Sequence, residues 1–526
     1  MGKNLNTLVK NVNRSKESKP DCLYKLFKNF NQTDALIFVA KHSWSKDAST
    51  YEALSVQNLN QYEIYTAQFI LSYYANMILI SSSNSKALKL SEIDVQHFMV
   101  LGGVYINRLN EPLLVNNDSN AFFIRTNFEQ FAYNICEAYC IARPYYLYVT
   151  LSKNLNLGLD KIFLEYSNID IENYFKMGYT IYLMMITYGA VFTKKQLCDS
   201  MAHFNISEMD SENFLKINSA RVNQFKEQEQ EKNNSNPYSK NRFNLLNKYP
   251  IVEISKNRYV VPNKTIFVKQ IFDIFWKFEE ELDKRVEKKL GKRFRDNYFY
   301  KLFENYVGDI LKKTYGKNNV KKINYKKKGT DAEFFDWYVE EGNIVYLFET
   351  KGYQLNSTND IKTGNIQEQY HRKFVDKPIC QMYKRIKDFS SNLYPELSIF
   401  KDKQLIPIAI YYDIPYISGN IHKAGIESTI NNNYSKIAES LKEPDLENFK
   451  NFKYYLLSVD DIELFNATQK HKKIKLYDIL NKMETFDGEL NKFDSLIREM
   501  MNIENDKIKI TFLEDIYLKF SDSMPF

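Results

Sequence analysis

The sequence predicts a multidomain α+β protein, in which a mostly α-helical N-terminal region precedes a domain whose helices cover a central mixed sheet. Three observations support this prediction. The chain has 526 residues, more than one hydrophobic core usually organises. Apolar residues repeat at three- and four-residue spacing up to about Gln224, and beyond Asp296 helical and strand-like patterns alternate.

The N-terminal region, residues 1–223, is expected to form a helical recognition or assembly domain after a poorly ordered lead-in of about 20 residues. Its clearest helical patterns are Tyr62–Ile80, Phe128–Ile141 and Tyr174–Tyr188. His42, His97 and His203 are isolated along the chain, and we interpret them as surface or satisfied core histidines.

A polar linker is predicted over residues 224–242, because this segment is charged, rich in Asn and Ser, and poor in apolar side chains. Residues 243–295 are predicted to form a β-hairpin, Pro250–Pro262, and a connecting helix, Lys264–Leu290. The α/β domain is assigned to residues 296–470, and residues 471–526 are predicted to form a C-terminal helical tail.

Cysteine usage and hydropathy predict a cytoplasmic protein without a transmembrane segment. Two apolar stretches, Tyr65–Ile80 and Met177–Phe192, are shorter than the roughly 18 residues that span a bilayer, and both contain polar side chains. Cys136 and Cys140 lie one helical turn apart, but no second Cys or His pair has zinc-site spacing, so we interpret these two as buried thiols. The N-terminus has no signal-peptide pattern and the five cysteines are scattered along the chain, so we expect a reducing compartment. These cysteines are Cys22, Cys136, Cys140, Cys198 and Cys380.

The α/β domain should contain a helix over about Tyr298–Thr314, a strand pair, a second helix beginning near Pro378, and two later buried strands. The strand pair is Phe334–Val339 and Ile344–Thr350, with a tight turn through Glu340-Glu341-Gly342-Asn343. The later strands are Leu405–Tyr412 and Tyr454–Val459.

Three charged side chains are predicted to lie on one face of this strand pair. If Val339 and Ile344 flank the turn, Asp336 lies opposite Leu347, and alternation places Asp336, Glu349 and Lys351 on the same side. A carboxylate at the end of a buried apolar strand is desolvated. This is unfavourable unless a nearby cation compensates its charge. If the register slips by one residue, Asp331 replaces Asp336 as the first acid.

This arrangement resembles the PD-(D/E)xK superfamily of restriction-endonuclease-like nucleases, whose core signature is an Asp on one strand and Glu-x-Lys on the next. The matching residues here are Asp336 and Glu349-Thr350-Lys351, and the Pro of the signature is absent. The resemblance covers about a third of the chain. It implies a restriction-endonuclease-like fold in which Asp336, Glu349 and the Thr350 carbonyl bind Mg²⁺, with Mn²⁺ as a substitute, and Lys351 acts on the attacking water.

Two helices extend the resemblance. Glu304 lies at the margin of the apolar stripe of the first helix, where related nucleases often carry a Glu that reaches the metal, although an ordinary solvated Glu is the alternative. Gln381, Lys384 and Arg385 share the polar flank of the second helix. By resemblance, Gln381 serves the active site and the two basic residues contact phosphates; a solvated helix face is the alternative.

Basic residues are concentrated just before the strand pair. The formal net charge is +7, and residues Lys301 to Thr330 include nine lysines against Glu304 and Asp309. Such a run is often a solvated loop, but beside a nuclease site it also suits phosphate contact. We therefore include Lys326, Lys327 and Lys328 among the candidate nucleic-acid-binding residues.

The sequence thus predicts a Mg²⁺-dependent endonuclease with nucleic acid, preferably DNA, as its partner, and an accessory region typical of restriction or antiviral defence proteins. A homodimer or a partner defence protein is expected, and no membrane partner. Cleavage of RNA by the same site is an alternative. The other alternative is a non-catalytic nucleic-acid-binding or assembly protein that retains the fold.

Overall fold

The computed structural model describes residues 27–44, 68–86, 89, 137–232, 245–279, 294–352, 378–412, 434–441, 449, 451–469, 474–485, 492–502 and 509–524. The chain divides into two compact units: Met1–Leu282 with Tyr517–Phe526, and Asp283–Ile516. The predicted lead-in, His97, Cys22 and Cys136 lie outside the described residues. Within the described part of the chain, we find no helix with both the length and the apolar character needed to cross a membrane.

We number the described helices of eight or more residues and the strands in chain order. The helices up to residue 272 are α1 (Gln32–Trp44), α2 (Gln68–Ser81), α3 (Glu137–Tyr145), α4 (Leu159–Ser167), α5 (Ile171–Tyr188), α6 (Lys194–Ala202), α7 (Glu208–Asn218), α8 (Val222–Lys232) and α9 (Lys264–Phe272). The strands of this part are β1 (Val191–Thr193), β2 (Ser219–Arg221), β3 (Ile251–Ser255) and β4 (Arg258–Val260).

The first unit is rich in helices, as predicted, but it also contains a sheet of order β1-β4-β3-β2. The predicted hairpin is present as β3 and β4, with Asn257 in the left-handed region at its turn. It pairs with β1 and β2, so it belongs to this unit and is not part of a separate connecting segment. Strands β1 and β2 were not predicted, because three residues are too few to show a period of two.

Two further boundaries differ from those predicted. Helix α8 continues to Lys232, so the first half of the predicted linker is helical. The predicted helix from Lys264 ends at Phe272, and the short helical turn Phe275–Lys277 follows it. The break coincides with Asp273, whose side chain accepts a hydrogen bond from the backbone N–H of Phe275. A side chain that binds backbone groups in this way competes with continuation of the helix.

Part of this unit has the order of elements of a winged helix-turn-helix. Helix α5 leads into β1, then into the pair α6 and α7, and later into the hairpin β3–β4, whose second strand pairs with β1. Strand β2 and helix α8 are inserted between α7 and β3. Both α6 and α7 begin with a capping box. The side chain of Thr193 before α6, or of Ser207 before α7, and that of the residue three positions later accept hydrogen bonds from the free N–H groups at the helix start.

The remaining helices are α10 (Tyr300–Tyr315), α11 (Pro378–Ser390), α12 (Tyr434–Leu441), α13 (Val459–Thr468), α14 (Leu476–Thr485), α15 (Lys492–Met501) and α16 (Thr511–Asp522). The strands of the second unit are β5 (Val320–Lys321), β6 (Asn324–Lys327), β7 (Thr330–Glu333), β8 (Trp337–Glu341), β9 (Ile344–Lys351), β10 (Gln404–Tyr411) and β11 (Tyr455–Ser458).

The second unit is built on a five-stranded mixed sheet of order β11-β10-β9-β8-β5. Strands β9, β10 and β11 are parallel, whereas β8 and β5 are antiparallel to their neighbours. The mixed sheet and its flanking helices agree with the predicted α/β class. Helices α14 and α15, predicted as a C-terminal tail, belong to this unit, because their apolar residues Leu476, Ile479, Leu480, Leu496 and Ile497 are buried.

The turn between β8 and β9 differs from the prediction, and the register of the pair changes with it. Glu340 and Glu341 continue the strand, so the loop is only Gly342-Asn343, with Gly342 at φ +63°. Tyr338 therefore lies opposite Leu347, where Asp336 was predicted. The shift is two residues, which preserves the face of each side chain. Continued by one pair, this register places Asp336 opposite Glu349.

Candidate active site

Strand β9 carries Glu349 into the interior because it is the middle strand of the sheet. Its residues Val345 to Phe348 are almost fully buried, and Glu349 is only 2% exposed. On β10, the residue paired with Glu349 is Ala409, whose small side chain leaves room for the carboxylate. A buried carboxylate is strongly unfavourable unless cations or hydrogen-bond donors surround it.

Two cations and an amide complete this cluster. Lys351 Nζ donates to Glu349 Oε1 at 2.7 Å and to Gln381 Oε1 at 2.9 Å. Arg385 Nη1 donates to Glu349 Oε2. Gln381 and Arg385 lie one turn apart on α11, so the helix presents both groups to the end of β9. The structure therefore brings together four of the predicted residues: Glu349, Lys351, Gln381 and Arg385.

Asp336 lies beside this cluster, one residue before β8 begins. Its Oδ2 accepts hydrogen bonds from the backbone N–H of Thr350 at 2.6 Å and from Thr350 Oγ1 at 2.5 Å. The Thr350 N–H has no backbone acceptor on β8, and the Asp336 carboxylate accepts its hydrogen bond instead. Burial, followed by the negative charge of Glu349, raises the pKa of Asp336 to about 7; the Thr350 hydrogen bonds oppose this shift and the charge of Glu304 adds to it.

Glu304 lies on α10, close enough for its charge to act on Asp336, but its carboxylate is engaged by Lys322. The Lys322 ammonium also lies 4.5 Å from the centre of the Trp337 ring, and Trp337 Nε1 donates to the Glu304 carbonyl at 2.9 Å. Helix α10 and the start of β8 are therefore joined at the edge of the site. The expectation that Glu304 binds a metal stays a prediction.

The oxygen donors near Asp336 suit a hard divalent cation, but they are not assembled as a metal centre. Within the described ranges, no group of three or more Asp, Glu, His or Cys side chains is arranged to hold a metal ion. Both Glu349 oxygens are occupied by Lys351 and Arg385. Burial and then the negative charge of Glu349 raise the pKa of Asp336, and a cation bound beside both carboxylates would counter both effects. The residues therefore fit Mg²⁺ on condition that Glu349 releases one of its two cations.

The rival first acid, Asp331, is placed elsewhere. It lies on β7, which pairs with β6 in a separate two-stranded sheet, and its side chain is 70% exposed and paired with Lys326 at 2.6 Å. A one-residue slip of β8 against β9 does not occur. The structure thus favours Asp336 over Asp331.

The predicted basic residues are on the surface around the site. Lys326 and Lys327 lie on β6 and Lys328 at its turn; Lys327 pairs with Asp388 of α11. Lys328 has a positive φ of 52° beside Gly329, which closes the tight turn to β7. Lys384 is exposed on α11. The hairpin β6–β7 is therefore fixed to the helix that carries Gln381 and Arg385.

Three further residues shape the site but were not predicted from the sequence: Lys322, Phe335 and Asp388. Asp388 shares the helical face of Gln381 and Arg385 and accepts from Tyr325 Oη at 2.8 Å, so its spacing on α11 was a usable signal. The Phe335 ring lies 5.4 Å from the Arg385 guanidinium. For Lys322 and Phe335 we see no local sequence pattern that indicates their contacts.

Comparisons with known proteins do not assign a family: no protein-family model matches this chain, and neither a curated protein nor a solved structure shows significant similarity to it. The case for a function therefore depends on the geometry of the candidate site.

Proposed function

We propose that the second unit is a metal-dependent phosphodiesterase that cleaves nucleic acid, with DNA as the favoured substrate. The observation that supports this most directly is the buried pair Glu349 and Lys351 at the end of β9, with Asp336 beside it and Gln381 hydrogen-bonded to the lysine. Two carboxylates next to an ammonium supply the charges that phosphodiester hydrolysis needs.

Each residue has a role that follows from its contacts. Asp336 and Glu349, with the Thr350 carbonyl, would hold Mg²⁺, which supplies positive charge next to the scissile phosphate. Lys351 is held between Glu349 and Gln381, so its ammonium has a fixed position from which it can orient a water and stabilise developing negative charge. Gln381 acts as a positioning residue through Lys351.

Phosphate contact outside the reacting centre is assigned to Lys326, Lys328 and Lys384. All three are exposed, and the hairpin that carries the first two is fixed to α11 through Lys327 and Asp388. Positive charges on a fixed support bind the polyanionic backbone without reading its sequence. We assign no sequence specificity to these contacts.

The test is cleavage of supercoiled plasmid, single-stranded DNA and RNA with Mg²⁺, Mn²⁺ or EDTA. We expect Lys351→Ala and Glu349→Gln to lower the cleavage rate by about 100-fold or more, because each removes a charge at the reacting centre. Lys403→Ala is the matched control, since Lys403 pairs with Glu340 at the opposite end of the sheet. Equal rates for wild type and Lys351→Ala would contradict the assigned site.

One observation favours the alternative of a non-catalytic nucleic-acid-binding protein. The charge of Glu349 is already shared by two cations, as in an ion pair that serves only the fold. That alternative predicts that the protein binds DNA without cleaving it, and that Glu349→Gln weakens folding without changing metal binding. The cleavage assay and a metal titration separate the two functions.

A further inference from the structure

Resting on the proposed function, we propose that Arg385 is a latch on the site: its guanidinium neutralises Glu349 in the metal-free protein, and cation binding releases it to contact the phosphodiester. A divalent cation would compete with Lys351 and Arg385 for one carboxylate. Glu349 has two oxygens, and Lys351 and Arg385 each bind one of them. A divalent cation can bind Glu349 only after one of these contacts opens.

The contacts indicate that Arg385 is the group that leaves. Lys351 has a second partner in Gln381, and it is attached to the same strand as Glu349, two residues away. Arg385 has Glu349 as its ion-pair partner, and its other described contact is the Phe335 ring. An aromatic face supports a guanidinium without fixing its direction. Opening the Arg385 contact therefore costs one ion pair, whereas opening the Lys351 contact disturbs both Glu349 and Gln381.

The released guanidinium remains at the site, because α11 carries the side chain and the Phe335 ring lies 5.4 Å from the guanidinium. Arg385 is 15% exposed, and its charge also acts on Tyr325 of β6, beside the exposed lysines of the hairpin. A guanidinium in this position can bind a phosphate in a bidentate manner. Arg385 would therefore contribute to nucleic-acid binding only when the cation is bound.

The experiment measures binding by the full chain, without cleavage. Mn²⁺ is titrated calorimetrically in the absence of nucleic acid, and DNA binding is measured with and without Ca²⁺. For Arg385→Gln we expect Mn²⁺ affinity at least fivefold tighter than wild type. We expect its DNA affinity to be unchanged without cation and at least fivefold weaker with Ca²⁺. Lys387→Gln is the matched control, because it removes the same charge from an exposed position of α11.

Lys387→Gln should leave Mn²⁺ affinity unchanged and alter DNA binding equally with and without cation. Arg385→Lys keeps a charge on Glu349 and should bind Mn²⁺ like wild type; this variant keeps the test valid where Arg385→Gln folds poorly. Equal or weaker Mn²⁺ binding by Arg385→Gln, or tighter binding by Arg385→Lys, overturns the latch. If wild type and Glu349→Gln bind Mn²⁺ with equal affinity, the proposed metal site itself is contradicted. That result is distinct from failure of the latch.

Discussion

Charged side chains in the two units are buried in different ways. In the second unit, Glu349 is enclosed but paired with Lys351 and Arg385, and Asp336 beside it accepts hydrogen bonds from Thr350. In the first unit, Lys277 donates to Tyr174 Oη and Asn218 Oδ1, which are neutral acceptors. A paired charge and an unpaired one respond differently to pH, so individual residues can be tested through stability.

The pKa of Lys277 is lowered from 10.5 to about 7, because burial desolvates the ammonium. The folded state thus binds fewer protons than the unfolded state between these values, and stability should rise with pH in this window and be lost as pH falls to about 7. We expect Lys277→Met to remove this rise and to increase the free energy of unfolding near pH 7 by about 1–3 kcal/mol. Denaturant unfolding at pH 7, 8 and 9 checks this.

The control for this prediction is Lys256→Met, which changes an exposed lysine at the hairpin turn. It should retain the pH dependence of the wild type. Tyr174 and Asn218 remain hydrogen-bonded to each other at 3.0 Å without the lysine, so Lys277→Met leaves neither group unsatisfied. Identical slopes of stability against pH for wild type and Lys277→Met would exclude the assignment.

At the scale of elements, helix α10 and strand β8 determine where the first acid lies. Gly308 lies in the interior of α10, where glycine is normally unfavourable by about 1 kcal/mol relative to alanine. Its place is explained by Trp337, which packs so closely that an added Cβ would lie 2.6 Å from Trp337 Cε2. The contact fixes α10, with Glu304, against the strand that begins next to Asp336.

We expect Gly308→Ala to destabilise the second unit by about 1–3 kcal/mol despite the better helix propensity of alanine, because the methyl group overlaps the indole ring. Thermal or urea unfolding measures the change. The same substitution in a Trp337→Phe background should cost less, since the smaller ring leaves space. An equal cost in both backgrounds would mean that Trp337 is not the obstacle.

Helix α7, the second helix of the segment with the element order of a winged helix-turn-helix, is not basic. Glu208 and Glu212 of α7 both pair with Lys194 at the start of α6. Exposed Met209 lies between them in sequence. Negative charge on this helix disfavours contact with a phosphate backbone.

On the scale of the whole molecule, each unit has its own core, and the candidate site lies within the second unit alone. A ligand that binds only the native state stabilises the unit that holds it, by about 2.7 kcal/mol at 100 times its Kd. The effect of a metal on unfolding should therefore be confined to one unit.

We expect scanning calorimetry to show two unfolding transitions, of which saturating Mn²⁺ raises one by roughly 5 °C or more. Glu349→Gln should abolish that shift without moving the other transition, because the lost ligand belongs to the second unit. A shift that survives in Glu349→Gln, or that affects both transitions equally, would place the metal elsewhere.

Much of the fold was accessible from sequence because its signals are local. The apolar stripe of the first helix of the α/β domain predicted the buried face of α10, and its residues Phe303, Val307, Ile310 and Leu311 are all buried. The apolar runs near residues 405 and 455 predicted β10 and β11. Short strands such as β1 were not predicted, because three residues show no periodic pattern. The end of α9 at Phe272 was not predicted either, because a single side-chain hydrogen bond leaves no such pattern.

By itself, the sequence determined which residues the candidate site could contain, since strand alternation and helical spacing place Glu349 with Lys351 and Gln381 with Arg385 on shared faces. Only the tertiary structure decided which groups meet. The Gly342-Asn343 turn set the register that places Asp336, rather than Asp331, beside β9. The packing of α11 brought Arg385 onto Glu349. Such contacts depend on how distant elements pack. A buried charge is stabilised by a partner that can lie far away in the sequence, so local patterns do not predict which residue it is.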